Sequence, residues 1–386
     1  MSPRFDFTTV ASLTVRAGAV QTLGTLLTER YAPTRLCLVT DKFLHQSGML
    51  AGPLANLADT GWEVLVIDDV VADPPDDVVL ACAAQTRAFN ARLVVGLGGG
   101  SSMDVAKLVA VLAASDQPLA AMYGIGNVQG PRLPLIQIPT TAGTGSEVTP
   151  ISIVTTGKHT KSGIVSPVLY ADWAILDASL TLGLPPHATA ATGIDAMVHA
   201  IEAYTSARLK NPLSDALARE ALRLLSANLL TACNDGHNQT AREAMLLGAT
   251  LAGQAFANAP VAAVHALAFP LGGHFHVPHG LSNALVLTEV LTFNLSHAQQ
   301  QYAELAGCMG VALTSSDPAD RARDLITHID RLIAATGIAR RLRDVGVAEN
   351  DLDMLARDAM QQQRLLMNNP REVGLADARA IYAAVW

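Results

Sequence analysis

Four continuous apolar runs of strand length, "LCLVT" (36–40), "EVLVID" (63–68), "RLVVGLG" (92–98) and "PLIQIP" (134–139), alternate with stretches of helical spacing such as "PDDVVLACAAQTRAFN" and "SMDVAKLVAVLAAS". A run without polar alternation reads as a strand covered on both faces, and a helix between two such strands returns the chain to start the next one in parallel. Residues 1–178 are therefore expected to form an α/β domain around a parallel sheet. From about residue 179 the strand-like runs almost vanish and Ala, Leu, Arg and Glu dominate, as in "LSDALAREALRLLSANLLTA". Residues 179–386 should be an all-α domain, with "LDASLTLGLPPH" (176–187) and its paired prolines as the hinge.

Two loops at strand ends carry the first chemical signal. "GLGGGSSMD" (96–104) follows a buried run and opens a helix, which gathers free backbone N–H groups where an anion is favoured. Position 101 is serine, so G-x-G-x-x-G is not satisfied, and G-x-x-x-x-G-K-[ST] is absent from the loop. The loop alone reads equally well as a tight strand-to-helix turn. "PTTAGTGSE" (139–147) again follows a strand and sets Thr140, Thr141 and Thr144 among glycines. Two such loops in one sheet point to a dinucleotide. Asp41, just after the first clear strand, can accept from a ribose 2′-OH and repel a 2′-phosphate, which favours NAD over NADP; a helix-capping aspartate is the other reading.

A second signal lies in the helical half. "GIDAMVHAIEAY" (193–204) interrupts an apolar helix with Asp195, His199 and Glu202 on one face. "VHALAFPLGGHFHVPHG" (264–280) holds four of the chain's eleven histidines. One aspartate and three histidines suit Fe²⁺ or Zn²⁺ and are too nitrogen-rich for Mg²⁺ or Ca²⁺. His265 begins a helix-like stretch, and His279 is expected on a loop between Pro278 and Gly280. His274 and His276 form an H-x-H pair that competes for the role, and spacing alone does not choose between the pairs.

The formal net charge of −8 and the lack of a Lys/Arg cluster argue against a nucleic-acid partner. Four scattered cysteines without a C-x-x-C pair fit reduced thiols. No basic-then-apolar leader opens the chain and no uncharged apolar run reaches about 18 residues. The expectation is a cytoplasmic protein that does not engage a membrane.

"GGGSSMDVAK", "PTTAGTGSE", "GIDAMVHAIEAYTS", "HALAFPLGG" and "PHGLSNA", in this order, resemble the iron-containing (group III) alcohol dehydrogenases, and "NNPRE" (368–372) is similar to that family's C-terminal segment. The resemblance implies a dehydroquinate synthase-like fold: an N-terminal dinucleotide-binding domain, a helical metal domain, and the cofactor lying between them. It implies metal ligands at Asp195, His199, His265 and His279, with His274 and His276 demoted. Cofactor contacts fall on Asp41, Gly98, Gly99, Gly100, Ser101, Asp104, Thr140, Thr141, Thr144 and Lys161. Two positions depart from the family pattern. Phe269 stands where many relatives have a histidine thought to move protons, which leads us to His276 as a candidate relay, and Asp73 replaces a common asparagine near the adenine side.

The implied activity is NAD-dependent interconversion of a small alcohol with its aldehyde or ketone, assisted by Fe²⁺, with Zn²⁺ as the second choice, in a homodimer. The alternatives are a zinc polyol dehydrogenase of the glycerol type, a maleylacetate reductase-like enzyme, and a non-enzymatic binding or filament protein on the same fold.

Overall fold

The computed structural model describes residues 4–157 and 160–386. They divide into two compact units. One comprises residues 9–141 and 146–182; the other comprises the described residues up to Thr8, residues 142–145 and residues 183–386. The main boundary thus falls between 182 and 183, inside the proline-bearing stretch and four residues beyond the expected one.

The first unit contains strands β1 (Leu13–Val15), β2 (Arg35–Asp41), β3 (Glu63–Val70), β4 (Leu93–Gly98), β5 (Gly124–Ile125), β6 (Leu135–Pro139), β7 (Ile151–Thr156), β8 (Thr160–Val165) and β9 (Trp173–Leu176). Six of them form one sheet in the order β1-β9-β6-β4-β2-β3, with every neighbouring pair parallel. A second sheet, ordered β5-β8-β7, contains the antiparallel β7–β8 pair. Helices α1 (Leu23–Thr28), α2 (Lys42–Gln46), α3 (Ala51–Asp59), α4 (Asp76–Ala88) and α5 (Gly100–Leu112) connect the strands.

The unbroken apolar runs have a direct cause. Along β2, Leu36 and Leu38 enter one buried cluster while Cys37 and Val39 enter another; along β4, Leu93, Val95 and Leu97 oppose Val94 in the same way. Side chains alternate across a strand, so both faces must be apolar when both are covered.

Strand order then locates the binding edge. From β2 the chain steps to β3 on one side, then crosses to β4, β6 and β9 on the other. The connections leaving β2 and β4 therefore part in opposite directions, and the crevice outside the carboxyl ends of such strands is where open α/β sheets bind ligands. Asp41 ends β2, Gly98 ends β4, and Thr140 follows β6.

The second unit consists of α6 (Pro186–Thr205), α7 (Pro212–Asn234), α8 (Gln239–Asn258), α9 (Ala263–Phe275), α10 (His279–Cys308), α11 (Pro318–Thr336), α12 (Leu352–Ala359), α13 (Gln363–Leu366) and α14 (Leu375–Ala384). Every residue of α6 from Gly193 to Thr205 is buried, which makes it the central helix. Two neighbours have strong start signals: Asn211 caps α7 with Pro212 following, and Asn238 caps α8. No single described helix is long and apolar enough to cross a membrane.

Candidate functional site

Three helices of the second unit bring four side chains together. Asp195 and His199 lie one turn apart on α6, His265 lies in the first turn of α9, and His279 is the first residue of α10. The expectation of a loop for His279 is corrected: Pro278 is the N-cap, and its ring fixes the backbone as the helix begins. Gly280 allows that helix end to come close. A Cβ there would stand 2.3 Å from the Ala191 carbonyl oxygen of α6, so any side chain would push His279 away from Asp195.

One potential ligand atom from each of the four residues lies within 4.8 Å of the other three. Asp195 Oδ1 is 3.6 Å from His279 Nε2 and 3.9 Å from His265 Nε2. Four ligands at about 2.1 Å around a tetrahedral ion stand about 3.4 Å apart, so these atoms are close to the spacing that one cation requires. Asp195, His199 and His265 are buried, and His279 is partly exposed, which leaves the cluster approachable from one side.

The electrostatics suit a cation. Burial acts against the Asp195 charge, but His199, His279, His265 and the Asn283 amide offset it, so its pKa falls below the ordinary carboxylate value. Burial dominates at His199, with opposition from Asp195 and reinforcement from His265 and His279, and holds the imidazole down to about 3. It is therefore neutral at pH 7, with a lone pair to donate.

Glu202, the third member of the α6 stripe, gains a definite role. Its Oε2 lies 2.7 Å from His265 Nδ1, and the carboxylate also accepts the backbone N–H groups of Ala262 and Val264 at 2.9 and 2.7 Å. These bonds satisfy the amino end of α9 and orient the ring, and an Nδ1–H donated to Glu202 leaves Nε2 free to ligate. Phe256 stacks on His199 with ring centres 4.3 Å apart, and Phe269 is tilted against His279 at 5.9 Å. Aromatic walls thus flank two of the ligands, and Phe269 puts an apolar ring beside the last.

The H-x-H pair lies elsewhere. His274 Nε2 is 2.5 Å from Asp358 Oδ2 of α12. His276 is exposed, and its backbone, at φ 53°, terminates α9 in the left-handed conformation.

In the sheet unit, Gly99 is the N-cap of α5, and Gly100 and Ser101 form its first turn. The Thr140 N–H donates to the Gly98 carbonyl at 3.0 Å, which ties the two glycine-bearing loops together. A Cβ on Gly98 would fall 2.6 Å from Ser102 Oγ, so the turn admits no side chain. Asp41 caps α2 by accepting from the Leu44 N–H at 3.0 Å with one oxygen. The Asp104 carboxylate is engaged within the unit: it accepts from Ser146 Oγ at 2.5 Å, the Ile153 N–H at 2.9 Å and the fully buried Lys107 at 3.3 Å. Lys107 also donates to Ser146 Oγ and the Ile151 carbonyl, so the pair fastens α5 to the segment after the threonine loop. Lys161 forms an ion pair with Asp73. Thr144 belongs, with residues 142–145, to the helical unit rather than to the sheet unit.

Lys107 and Asn283 were not singled out from the sequence. Asn283, four residues after His279, shares its helix face, and that spacing is the signal that would have found it.

A doubly wound parallel sheet with glycine turns at its switch point, in a chain whose helical unit gathers one carboxylate and three imidazoles, defines a metal-dependent dehydrogenase. The comparisons narrow the class. Residues 11–178 match the family described as iron-containing alcohol dehydrogenase, and residues 189–386 match its C-terminal family. The long-chain-alcohol dehydrogenase 1 of Geobacillus thermodenitrificans is 40% identical over 361 residues, covering 93% of this chain and 91% of that one. A crystal structure of 1,3-propanediol oxidoreductase superposes with a TM-score of 0.95 at 35% identity, over 100% of both chains. The sulfoacetaldehyde reductase of Bifidobacterium kashiwanohense, solved in complex with NAD⁺, superposes with a TM-score of 0.90 at 29% identity, over 100% of this chain and 99% of that one. The chain belongs to the iron-containing alcohol dehydrogenase family and is an oxidoreductase acting on CH–OH groups.

Proposed function

We propose that this enzyme moves hydride between NAD and a small alcohol or its carbonyl partner, with Fe²⁺ held by Asp195, His199, His265 and His279. The reading rests on one observation above all, the convergence of one carboxylate oxygen and three imidazole nitrogens within 4.8 Å. The ion supplies Lewis acidity toward an alcohol or carbonyl oxygen, and NAD supplies the hydride acceptor. Net oxidation would deliver hydride to bound NAD and one proton to solvent.

The chain's own groups do the rest. Asp195 and the three imidazoles fix the ion, while Phe256 covers one face of the buried His199 ring and Phe269 sets an apolar edge beside the partly exposed His279. The amino end of α5, from Gly98 to Ser101, and Thr140, Thr141 and Thr144 are proposed to hold the cofactor's phosphates and ribose, with Asp41 on the adenine ribose and Lys161 as a further contact. Asp104 is proposed to act on that site indirectly, through its bonds to Ser146 and Ile153. His276 is exposed, so any proton it carries travels through solvent.

Family resemblance supports a homodimer, which sizing with light scattering checks, and four scattered cysteines without a C-x-x-C pair fit reduced thiols in the cytoplasm. The activity is tested by metal analysis of anaerobically purified protein followed by an NADH-linked screen of alcohols and aldehydes. Near one equivalent of iron per chain with turnover that depends on it is expected. Turnover undiminished after the metal is stripped refutes the reading, and a clear preference for NADP refutes the role given to Asp41.

A further inference from the structure

Asn283 lies at the centre of the ligand cluster without being one of the four expected ligands. It is fully buried on α10, one turn after His279. Its Nδ2 donates to Asp195 Oδ1 at 2.6 Å and stands 3.3 Å from His265 Nε2 and 3.4 Å from His279 Nε2. Among the described residues its buried Oδ1 has no hydrogen-bond partner. A carboxylate oxygen and two imidazole lone pairs this close repel one another unless positive charge lies among them, and the amide NH₂ brings two partly positive hydrogens to that point. The opposite amide orientation would set Oδ1 against three acceptors, so the electrostatics select the one observed.

We propose that Asn283 is a positioning residue for the metal site. Without an ion its amide holds Asp195, His265 and His279 in their binding arrangement; with one it retains Asp195 and releases the two imidazole lone pairs. The proposal rests on the metal-site reading above. Ligands kept in place before binding give up less freedom when the ion arrives, which raises affinity. The orphaned Oδ1 has the same origin: α10 directs the amide at the ligands, and its oxygen is left facing away from them, unpaired. A residue selected only to fill space would carry no such polar cost.

The test uses the full chain and Co²⁺ as the probe ion. Asn283→Leu keeps the branching at Cγ, with bulkier methyl groups, and removes the donor. Its dissociation constant, from titration against a competing chelator, should rise about 10- to 100-fold, with a visible Co²⁺ spectrum that keeps the wild-type ligand number. A constant within about twofold of wild type overturns the proposal. A spectrum that loses a ligand overturns it too, because Asn283 would then be a ligand itself. If the leucine variant does not fold, Asn283→Asp retains the shape and exchanges donor for acceptor. Its metal-free form should melt below wild type at neutral pH, and saturating Co²⁺ should raise its melting temperature by more than in wild type. An aspartate variant as stable as wild type without metal overturns the proposal. Failure of the wild-type protein to bind Co²⁺ would instead remove the metal-site reading, so the two failures are distinguishable.

Discussion

The helical unit offers side chains and the sheet unit offers backbone. Asp195, His199, His265 and His279 reach one point from three helices, and each supplies one potential ligand atom from its side chain. The candidate cofactor loops instead present helix-end N–H groups at strand ends, with glycines chosen for the room they leave. The two units should therefore fail differently. The helical one is vulnerable to the loss of a functional group, and the sheet one to the gain of a methyl.

The largest effect tests that contrast. His265→Ala removes a ligand and leaves Glu202 buried without its imidazole partner, so metal affinity should fall by more than about 100-fold, with turnover lost in parallel. Full metal content with normal turnover would break the four-ligand account. In the sheet unit, Gly98→Ala should cost about 1–3 kcal/mol from overpacking against Ser102 and weaken NAD binding, while metal content stays at wild type. Calorimetric titration with NAD and metal analysis on the same sample separate the two. If Gly98→Ala also empties the metal site, the division of labour is wrong.

Acid should expose the helical unit's dependence on a buried, neutral imidazole. The unfolded chain takes up a proton at His199 near pH 6.5, whereas in the folded, metal-free protein that pKa is held down to about 3. Between those values the unfolded state binds a proton that the native state refuses. The His199 contribution is thus fully present above about pH 6.5 and lost as pH falls toward 3, by up to about 1.4 kcal/mol per pH unit. Urea denaturation of metal-free protein across this range should show the slope, and His199→Gln should reduce it. An unchanged slope would mean the ring titrates normally in the folded state.

A smaller effect is expected at Asp41, where one side chain serves both local structure and recognition. Asp41→Gly removes the cap of α2, at about 1 kcal/mol or less, and should shift the NADP/NAD preference toward NADP by roughly tenfold through lost repulsion. Stability loss without any change in preference would leave Asp41 as a cap alone.

The same contrast explains what the sequence disclosed. β2, β3, β4 and β6 were legible because strands covered on both faces must be apolar throughout. β1 and β9, with three and four residues, are too short to show a pattern, and the β7–β8 hairpin mixes Thr and Ser into its strands. Glu202 was visible as a stripe residue, but its bond to His265 joins two helices through residues 63 apart in the chain. No periodicity within one helix reports how two helices meet. His279 was misplaced by two residues of local chemistry: Pro278 and Gly280 suggest a turn, yet here one caps α10 and the other lets it approach α6.

The smallest expected effect concerns His276, where a backbone role and a chemical one overlap. A non-glycine residue in the left-handed region costs about 1–2 kcal/mol, so His276→Gly should stabilise the protein by part of that amount. His276→Gln keeps the strain and removes the imidazole. Because His276 is exposed, its proton transfer competes with solvent, and turnover of the glutamine variant should fall by well under the roughly hundredfold loss of a directly acting base. Added imidazole buffer should restore the difference at unchanged metal content. If the pH profiles of both variants overlay wild type and buffer has no effect, His276 only terminates α9. The alcohol proton then leaves by a route that uses neither His276 nor position 269, where the apolar ring of Phe269 can neither accept nor pass it on.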